Sequence, residues 1–360
     1  CSVPGAIIHP EEYILLVNTE EALIFEIFAK TLIRAGPGLP NTGASLVLYD
    51  AQGKMISASS YMRSWYSDPN RSEGGCSLEQ ADPFNPCGGQ GNWMQSRAEE
   101  GGTPGRLNSV DMLNVISPEV RKAIVRKDSL LDIQMNLKMD RSSMIDGSLF
   151  YVDNGMGHPV DVRAVDSLYD RFFLSFDKEF VPGVVYKLSF GRDVLNCTGV
   201  IDGLPEDFAF GRAESPQRSD IVINEVLFNP AGNGVDFIEV YNRSGKIVNL
   251  MELMLGNIKT DPFGASDTSY KNVMDDDVLM LPGQLFVLTT DPARVQEQYV
   301  AGPADLFIRM TILPAYGNVA GTVILSASDG SLIDYMMYEE EMHHPLLHNV
   351  EGVSLERIHP

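Results

Sequence analysis

The sequence is poor in basic residues and cysteine, and it has no long apolar run. Its 360 residues carry 27 Lys and Arg against 49 Asp and Glu, a formal charge of -22. A surface of that sign repels phosphate backbones and excludes a nucleic-acid footprint. No apolar stretch approaches the ~20 residues of a membrane-spanning helix. There is no heptad run, which excludes a coiled coil. There is also no Gly-x-Ser-x-Gly, phosphate loop, dinucleotide fingerprint or zinc-protease motif. With no catalytic constellation legible, the chain is expected not to be an enzyme and to need no cofactor. What is present is ordinary for globular protein: 44% hydrophobic and 21% charged residues, which excludes wholesale disorder. The length suggests two or three domains, each large enough for its own core.

The most informative positive feature is an internal repeat. A shift of 277 residues lays Ser45 to Pro83 on Thr322 to Pro360 without a gap. Leu48, Gly53, Ile56, Tyr61, Gly75, Ser77, Leu78, Glu79 and Pro83 meet Leu325, Gly330, Ile333, Tyr338, Gly352, Ser354, Leu355, Glu356 and Pro360. Upstream, after a short slip, Pro10 to Leu16 match Pro282 to Leu288. The sequence thus reads as two copies of one unit. In each copy a buried-strand run (Leu46 to Tyr49, Val323 to Leu325) leads into a turn with glycine at Gly53 or Gly330, and a second strand returns. A short helix is expected near Asn18 to Phe25, and another after Asp291 with Pro292 in its first turn.

Between the copies lies a different β unit. Leu131, Ile133, Met135, Leu137 and Met139 alternate with polar residues, the period-two pattern of a half-buried strand. Phe172, Leu174 and Phe176, then Tyr186, Leu188 and Phe190, repeat it on either side of a Pro182-Gly183 turn. The expected class is all-β, with tandem immunoglobulin-like sandwiches and short helical excursions. Gly101 to Gly105 and Ala213 to Gln217 are rich in turn formers and read as linkers.

Ile221-Val222-Ile223-Asn224-Glu225-Val226, followed by Asp236-Phe237-Ile238-Glu239, resembles the opening of a lamin tail domain. Gly75 to Glu79, Asn92-Trp93 and Gly101 to Gly105 resemble the closing stretch of that family. The resemblance implies a first lamin-tail-like sandwich at 1–108 without its opening strands, and a second at 219–360 without its closing segment. Between them, 109–212 resembles the bacterial Ig-like domains that accompany lamin tail domains in secreted proteins of Bacteroidota-type bacteria. The implied location is extracellular, or the outer surface of a Gram-negative cell. An N-terminal cysteine such as Cys1 bears the lipid of mature bacterial lipoproteins, or else marks a fragment boundary. Truncation is the simpler account, because a true terminus there would leave an apolar sheet edge unpaired unless a partner chain completed it.

Several side chains are candidates for a site. Cys76 and Cys87, with ten residues between them, are expected to form a disulfide, with Cys197 a small buried residue. His343, His344 and His348 form the one histidine cluster, but Pro345 opposes the helix that zinc-binding spacing would need. Asp275, Asp276 and Asp277, with Asp261 and Asp267 nearby, could supply oxygen ligands to calcium. Glu225 and Glu239 form a carboxylate pair that the strand pattern makes structural. The loops Trp65 to Glu73 and Met342 to Val350 differ most between the copies, so Trp65, Tyr66, Arg71, His343, His344 and His348 are the candidate binding residues. The expected function is a non-catalytic spacer and binding or adhesion module for a protein or surface glycan partner. The alternative is an accessory region of a secreted nuclease or peptidase whose catalytic domain lies outside this sequence.

Overall fold

Short apolar runs separated by turn formers become short strands along the whole chain. The computed structural model describes residues 7–18, 22–33, 38–53, 55–68, 70–83, 85, 87–110, 117–166, 168–197, 199, 206–260, 266–299 and 302–359. Cys1, with its lipid-anchor reading, and Asp261 lie outside the described residues.

The first stretch opens with β1 (Ile14–Val17), α1 (Ala22–Phe25) and β2 (Lys30–Ile33), and β1 pairs with β2 in parallel. Next come the antiparallel hairpin β3 (Gly43–Tyr49) and β4 (Met55–Met62), then β5 (Leu78–Gln80) paired with β6 (Trp93–Gln95). Gly53, at φ +82°, makes the hairpin turn and donates its N–H to the Asp50 carbonyl at 3.1 Å. Residues 101–109, whose first five were read as a linker, fold back over β5. Ser77 N–H donates to Gly101 O at 2.7 Å, and the buried Glu79 carboxylate accepts from Thr103 Oγ1 (2.8 Å), Ser109 N–H (2.7 Å) and Ser109 Oγ (2.7 Å).

The middle segment is a seven-stranded sandwich. It contains β7 (Val120–Lys127), β8 (Leu130–Met135), α2 (Arg141–Met144), β9 (Phe150–Val152), β10 (Asp161–Ala164), β11 (Arg171–Ser175), β12 (Tyr186–Phe190) and β13 (Phe208–Phe210). The strand order is β10-β11-β8-β7 in one sheet and β13-β12-β9 in the other. Leu131, Ile133, Phe172 and Leu174 from the first sheet share a core with Phe150, Val152, Tyr186, Leu188 and Phe210 from the second. The alternation from Leu131 to Met139 therefore does point one face inward, although the regular strand stops at Met135. Pro182-Gly183 carries the chain from one sheet to the other, since β11 and β12 lie in different sheets.

The third segment holds β14 (Ile221–Leu227), β15 (Phe237–Asn242), β16 (Val248–Asn249), β17 (Leu253–Thr260), β18 (Ser266–Asn272), β19 (Leu279–Met280), β20 (Leu285–Thr289), α3 (Pro292–Gln298), β21 (Phe307–Arg309), β22 (Ala320–Ala327), β23 (Leu332–Glu339) and β24 (Leu355–Glu356). Its two main sheets run β21-β20-β15-β14-β24 and β18-β17-β22-β23 and enclose one large apolar core. Asp291 caps α3 and Pro292 occupies its first turn. Gly330, at φ +86°, repeats the turn seen at Gly53 and donates to Ala327 O at 2.9 Å.

Element order is the same from β1 to β5 as from β20 to β24, and β20 pairs with β21 in parallel as β1 does with β2. The surroundings differ. β20 also pairs with β15, β22 with β17, and β24 with β14, whereas β1 and β3 have no second neighbour among the described residues. Leu46, Leu48 and Ile56 are 44%, 48% and 63% exposed, while their counterparts Val323, Leu325 and Ile333 are 0%, 0% and 1% exposed.

The disulfide differs from expectation. Cys87 is bonded to Cys197, 110 residues away, with the two Cα atoms 5.5 Å apart, and Cys76 is a free thiol. The pairing follows from backbone contacts on either side of Lys138. Its N–H donates to Cys87 O at 2.9 Å and its carbonyl accepts from Cys197 N–H at 3.1 Å. Nearness in sequence proposed Cys76, but these long-range bridges select Cys197, which is an exposed, disulfide-bonded residue rather than the small buried one expected.

Candidate functional site

A cleft of about 930 Å³ opens where the three segments meet. The turn after β4 contributes Trp65, the start of β6 contributes Trp93, and Gln90 lies beside them. The chain has two tryptophans, and both line this cleft. From the middle segment come Arg121, Lys122, Lys138 and Arg171, with Asp170; from the third come Lys271, Arg309, Asp275 and Asp276. Six cations and three carboxylates thus face one space in a chain whose formal charge is -22.

The cations are fixed in different ways. Lys122 Nζ donates to Asp276 at 2.5 Å, and Arg171 pairs with Asp132 at 2.6 Å. Arg121 is held by Gln90 Oε1 at 2.6 Å rather than by a carboxylate, and Lys138 Nζ donates to Ala58 O. Burial pushes the Asp170 carboxyl up to about 6, and the neighbouring Asp166 adds to this against the pull of Lys138 and Arg121. Burial also lowers the Arg121 guanidinium from its ordinary value, against the attraction of Asp170 and Glu119. The result is a polar, aromatic-walled groove whose cations outnumber its carboxylates.

Tyr66 and Arg71 line an adjoining hollow of about 430 Å³ with Cys76 and Trp93. Tyr66 Oη donates to Cys76 O at 2.6 Å, and Arg71 Nη1 donates to Ser96 O at 2.5 Å. The histidines line neither space. His343 is buried against the Phe228 ring, with Nδ1 2.9 Å from Glu340 O and Nε2 2.9 Å from Val353 O. Positions 343 and 66 correspond in the repeat, as do 353 and 76, so His343 and Tyr66 reach corresponding carbonyls, and His343 meets a second one at Glu340. His344 and His348 are exposed, and His344 Nδ1 accepts from Leu346 N–H at 3.3 Å.

The acidic candidates are engaged in packing. Asp276 pairs with Lys122, and Asp277 pairs with Arg126 at 2.5 Å, so both link β7 to the third segment. Asp275 Oδ1 accepts from Asn272 Nδ2 at 3.3 Å. Among the described residues no three His, Cys, Asp or Glu side chains are grouped to hold a metal ion. Glu225 lies opposite both Glu239 and Glu356 in the sheet. Burial raises its carboxyl, the Ser354 hydroxyl (2.5 Å) opposes this, and the two neighbouring acids add to it. Trp93 and the cations of the middle segment went unnoticed in the sequence as site residues. No local spacing joins them, and only the rarity of tryptophan pointed to them.

The third segment begins with the Ile-Val-Ile-Asn-Glu strand β14, and its two sheets enclose one core. Residues 214–340 match the family model of the Lamin Tail Domain. This lamin tail match covers the cleft wall that carries Lys271, Asp275, Asp276 and Arg309. No curated protein matches the chain. Among solved structures, the N-terminal part of the bacterial S-layer protein SbsC is similar at 13% identity, covering 47% of this chain and 45% of that one, with a TM-score of 0.24. The chain therefore spans less than half of that S-layer fragment. Native alpha-2-macroglobulin from Escherichia coli, spanning domains MG0-NIE-MG1, is similar at 12% identity over 67% of this chain and 90% of that one, with a TM-score of 0.20. Neither superposition is close enough to bear on function. No helix among the described residues is long and apolar enough to cross a membrane.

Proposed function

We propose that this is a non-catalytic spacer and binding region of an extracellular or cell-surface protein of a Gram-negative bacterium. It would comprise lamin-tail-type units at 1–108 and 219–360 around a bacterial Ig-like sandwich at 109–212. The observation that carries the location is the Cys87–Cys197 disulfide, because such bonds persist in oxidising compartments. The observation that carries binding is the gathering of both tryptophans and six cations at one cleft of an acidic chain. Flat rings suit the apolar faces of sugars, and cations suit carboxylates, so the ligand class is an acidic surface glycan. An acidic protein segment is the competing outcome of the test.

The experiment compares binding of the chain to polygalacturonate, to neutral dextran and to polyglutamate at low and high salt. Saturable, salt-sensitive binding to polygalacturonate that Trp65→Ala and Arg121→Glu both weaken is expected. Preference for polyglutamate would make the partner a protein, and equal retention on dextran would remove the cleft from consideration.

A further inference from the structure

We infer that the first stretch takes up a further β segment of the kind that β14, β15 and β17 supply in the third segment. This inference rests on the two-copy reading proposed above. Three edges carry it. Among the described residues β20 is flanked by β21 and β15, but β1 has only β2; β22 is flanked by β23 and β17, but β3 has only β4. The third edge is on β5. β5 uses Ser77 O and the Ala81 N–H to bond β6, whereas β24 uses the Arg357 N–H to bond Asn224 of β14. Position 357 corresponds to position 80, one residue out of step with 77, 79 and 81. Backbone groups alternate sides along a strand, so β6 and β14 approach this strand from opposite edges. The edge of β5 that a β14-type strand would occupy is therefore separate from the edge that β6 fills, and on it the Gln80 carbonyl accepts from Asn108 Nδ2 at 2.9 Å.

The faces agree with the edges. Leu46, Leu48 and Ile56 stand exposed where the same positions of the third segment are sealed, and Leu16 is exposed where Leu288 is buried. The three corresponding neighbours come from one continuous stretch of the third segment, residues 221–260, so a single segment supplies the edges of β1 and β3 and, by displacing Asn108 from Gln80, that of β5. In the third segment those strands run ahead of β20, and the same order places the complementing segment ahead of β1 in the polypeptide. A second copy of the chain is a poor donor, because lending β14, β15 and β17 would open its own core.

The test is amide hydrogen exchange read by mass spectrometry, on residues 1–360 alone and on the polypeptide as isolated from its source. In residues 1–360 alone, β1 and β3 are expected to exchange at least ~100-fold faster than β20 and β22, the contrast between uncovered and core strands. In the source polypeptide that contrast is expected to vanish. Slow exchange of β1 and β3 in monomeric 1–360 overturns the inference, and so does fast exchange in the source polypeptide. Protection that grows with dimer concentration makes a second copy the occupant and also overturns it. The two-copy reading is tested separately by grafting residues 43–62 in place of 320–339. A chimera whose third segment still unfolds cooperatively keeps that reading whatever exchange shows, and one that does not removes it.

Discussion

Leu48 and Leu325 are the same residue at corresponding places in the same kind of hairpin, yet one stands half in water and the other is sealed. The hairpins themselves are alike, down to a glycine turn and an antiparallel register. What differs is the second neighbour: β22 has β17 beside it as well as β23, whereas β3 has β4 alone among the described residues. Strand formation is thus local here, whereas burial comes from elsewhere in the sequence. Each covered Leu or Ile gains roughly 2 kcal/mol that its exposed twin does not. No residue of β1 to β4 joins any of the large apolar cores, so this stretch holds its shape by hydrogen bonds more than by burial.

The strongest way to break this comparison is a matched pair of truncations. Ile333→Ala should cost about 3 kcal/mol, because it empties a packed site. Ile56→Ala should cost less than about 0.5 kcal/mol. Scanning calorimetry of the two variants checks this, and equal losses would mean that Ile56 is covered after all. A second pair probes residues 101–109, which cover β5. Glu79 is buried with three donors around it, while Glu356 is exposed. Burial opposes the charge of Glu79, but the Ser109, Thr103 and Ser96 donors outweigh it and hold the carboxyl below its ordinary value. Its stabilisation is therefore complete above the ordinary range and fades as pH falls through the lowered value. Glu79→Gln should cost about 2 kcal/mol near neutrality and Glu356→Gln almost nothing. Tryptophan fluorescence reports the first of these directly, since both tryptophans lie in the first stretch.

A smaller effect is confined to the third segment. Burial pushes the Asp236 carboxyl up to about 6, so its charge opposes folding at neutral pH. The penalty is full above pH 6 and disappears as pH falls toward the ordinary carboxylate value. Asp236→Asn should therefore add about 1 kcal/mol at neutral pH and nothing near pH 4, measured by urea unfolding at both pH values. The smallest contrast is between the two loop ties. Tyr66→Phe removes one hydroxyl donor, for about 1 kcal/mol, and His343→Phe leaves two half-buried carbonyls facing a ring, for about 2 kcal/mol. Equal effects would show that the two loops are anchored alike.

Much of the fold could be read from the sequence because its signals are local. Alternation from Leu131 to Met139 marked a strand face, Asp291-Pro292 marked a helix start, and glycines at 53 and 330 marked matching turns. The repeat placed the elements of two stretches in the same order. The parallel pairing of β1 with β2 left no local trace, and neither did the disulfide. Cys87 meets Cys197 only because both pack on Lys138, a residue that no cysteine spacing points to. The cleft was half legible: Trp65 belongs to a loop that the repeat singled out, whereas Arg121, Lys138 and Lys271 come from separate strands or their ends and converge only in space. His343 was misleading, because a histidine in a variable loop looks like a ligand until its two carbonyl neighbours are seen.

The Cys87–Cys197 bond has a mechanical consequence. When the polypeptide is pulled along its length, tension that reaches Cys87 crosses the sulfur bridge and leaves at Cys197. The chain between them, a sequence separation of 110 that includes nearly all of the middle sandwich, lies outside the path of the load. Roughly 360 Å of chain that could otherwise pay out under force stays folded. Reducing the bond would turn a short, stiff tether into a long, yielding one.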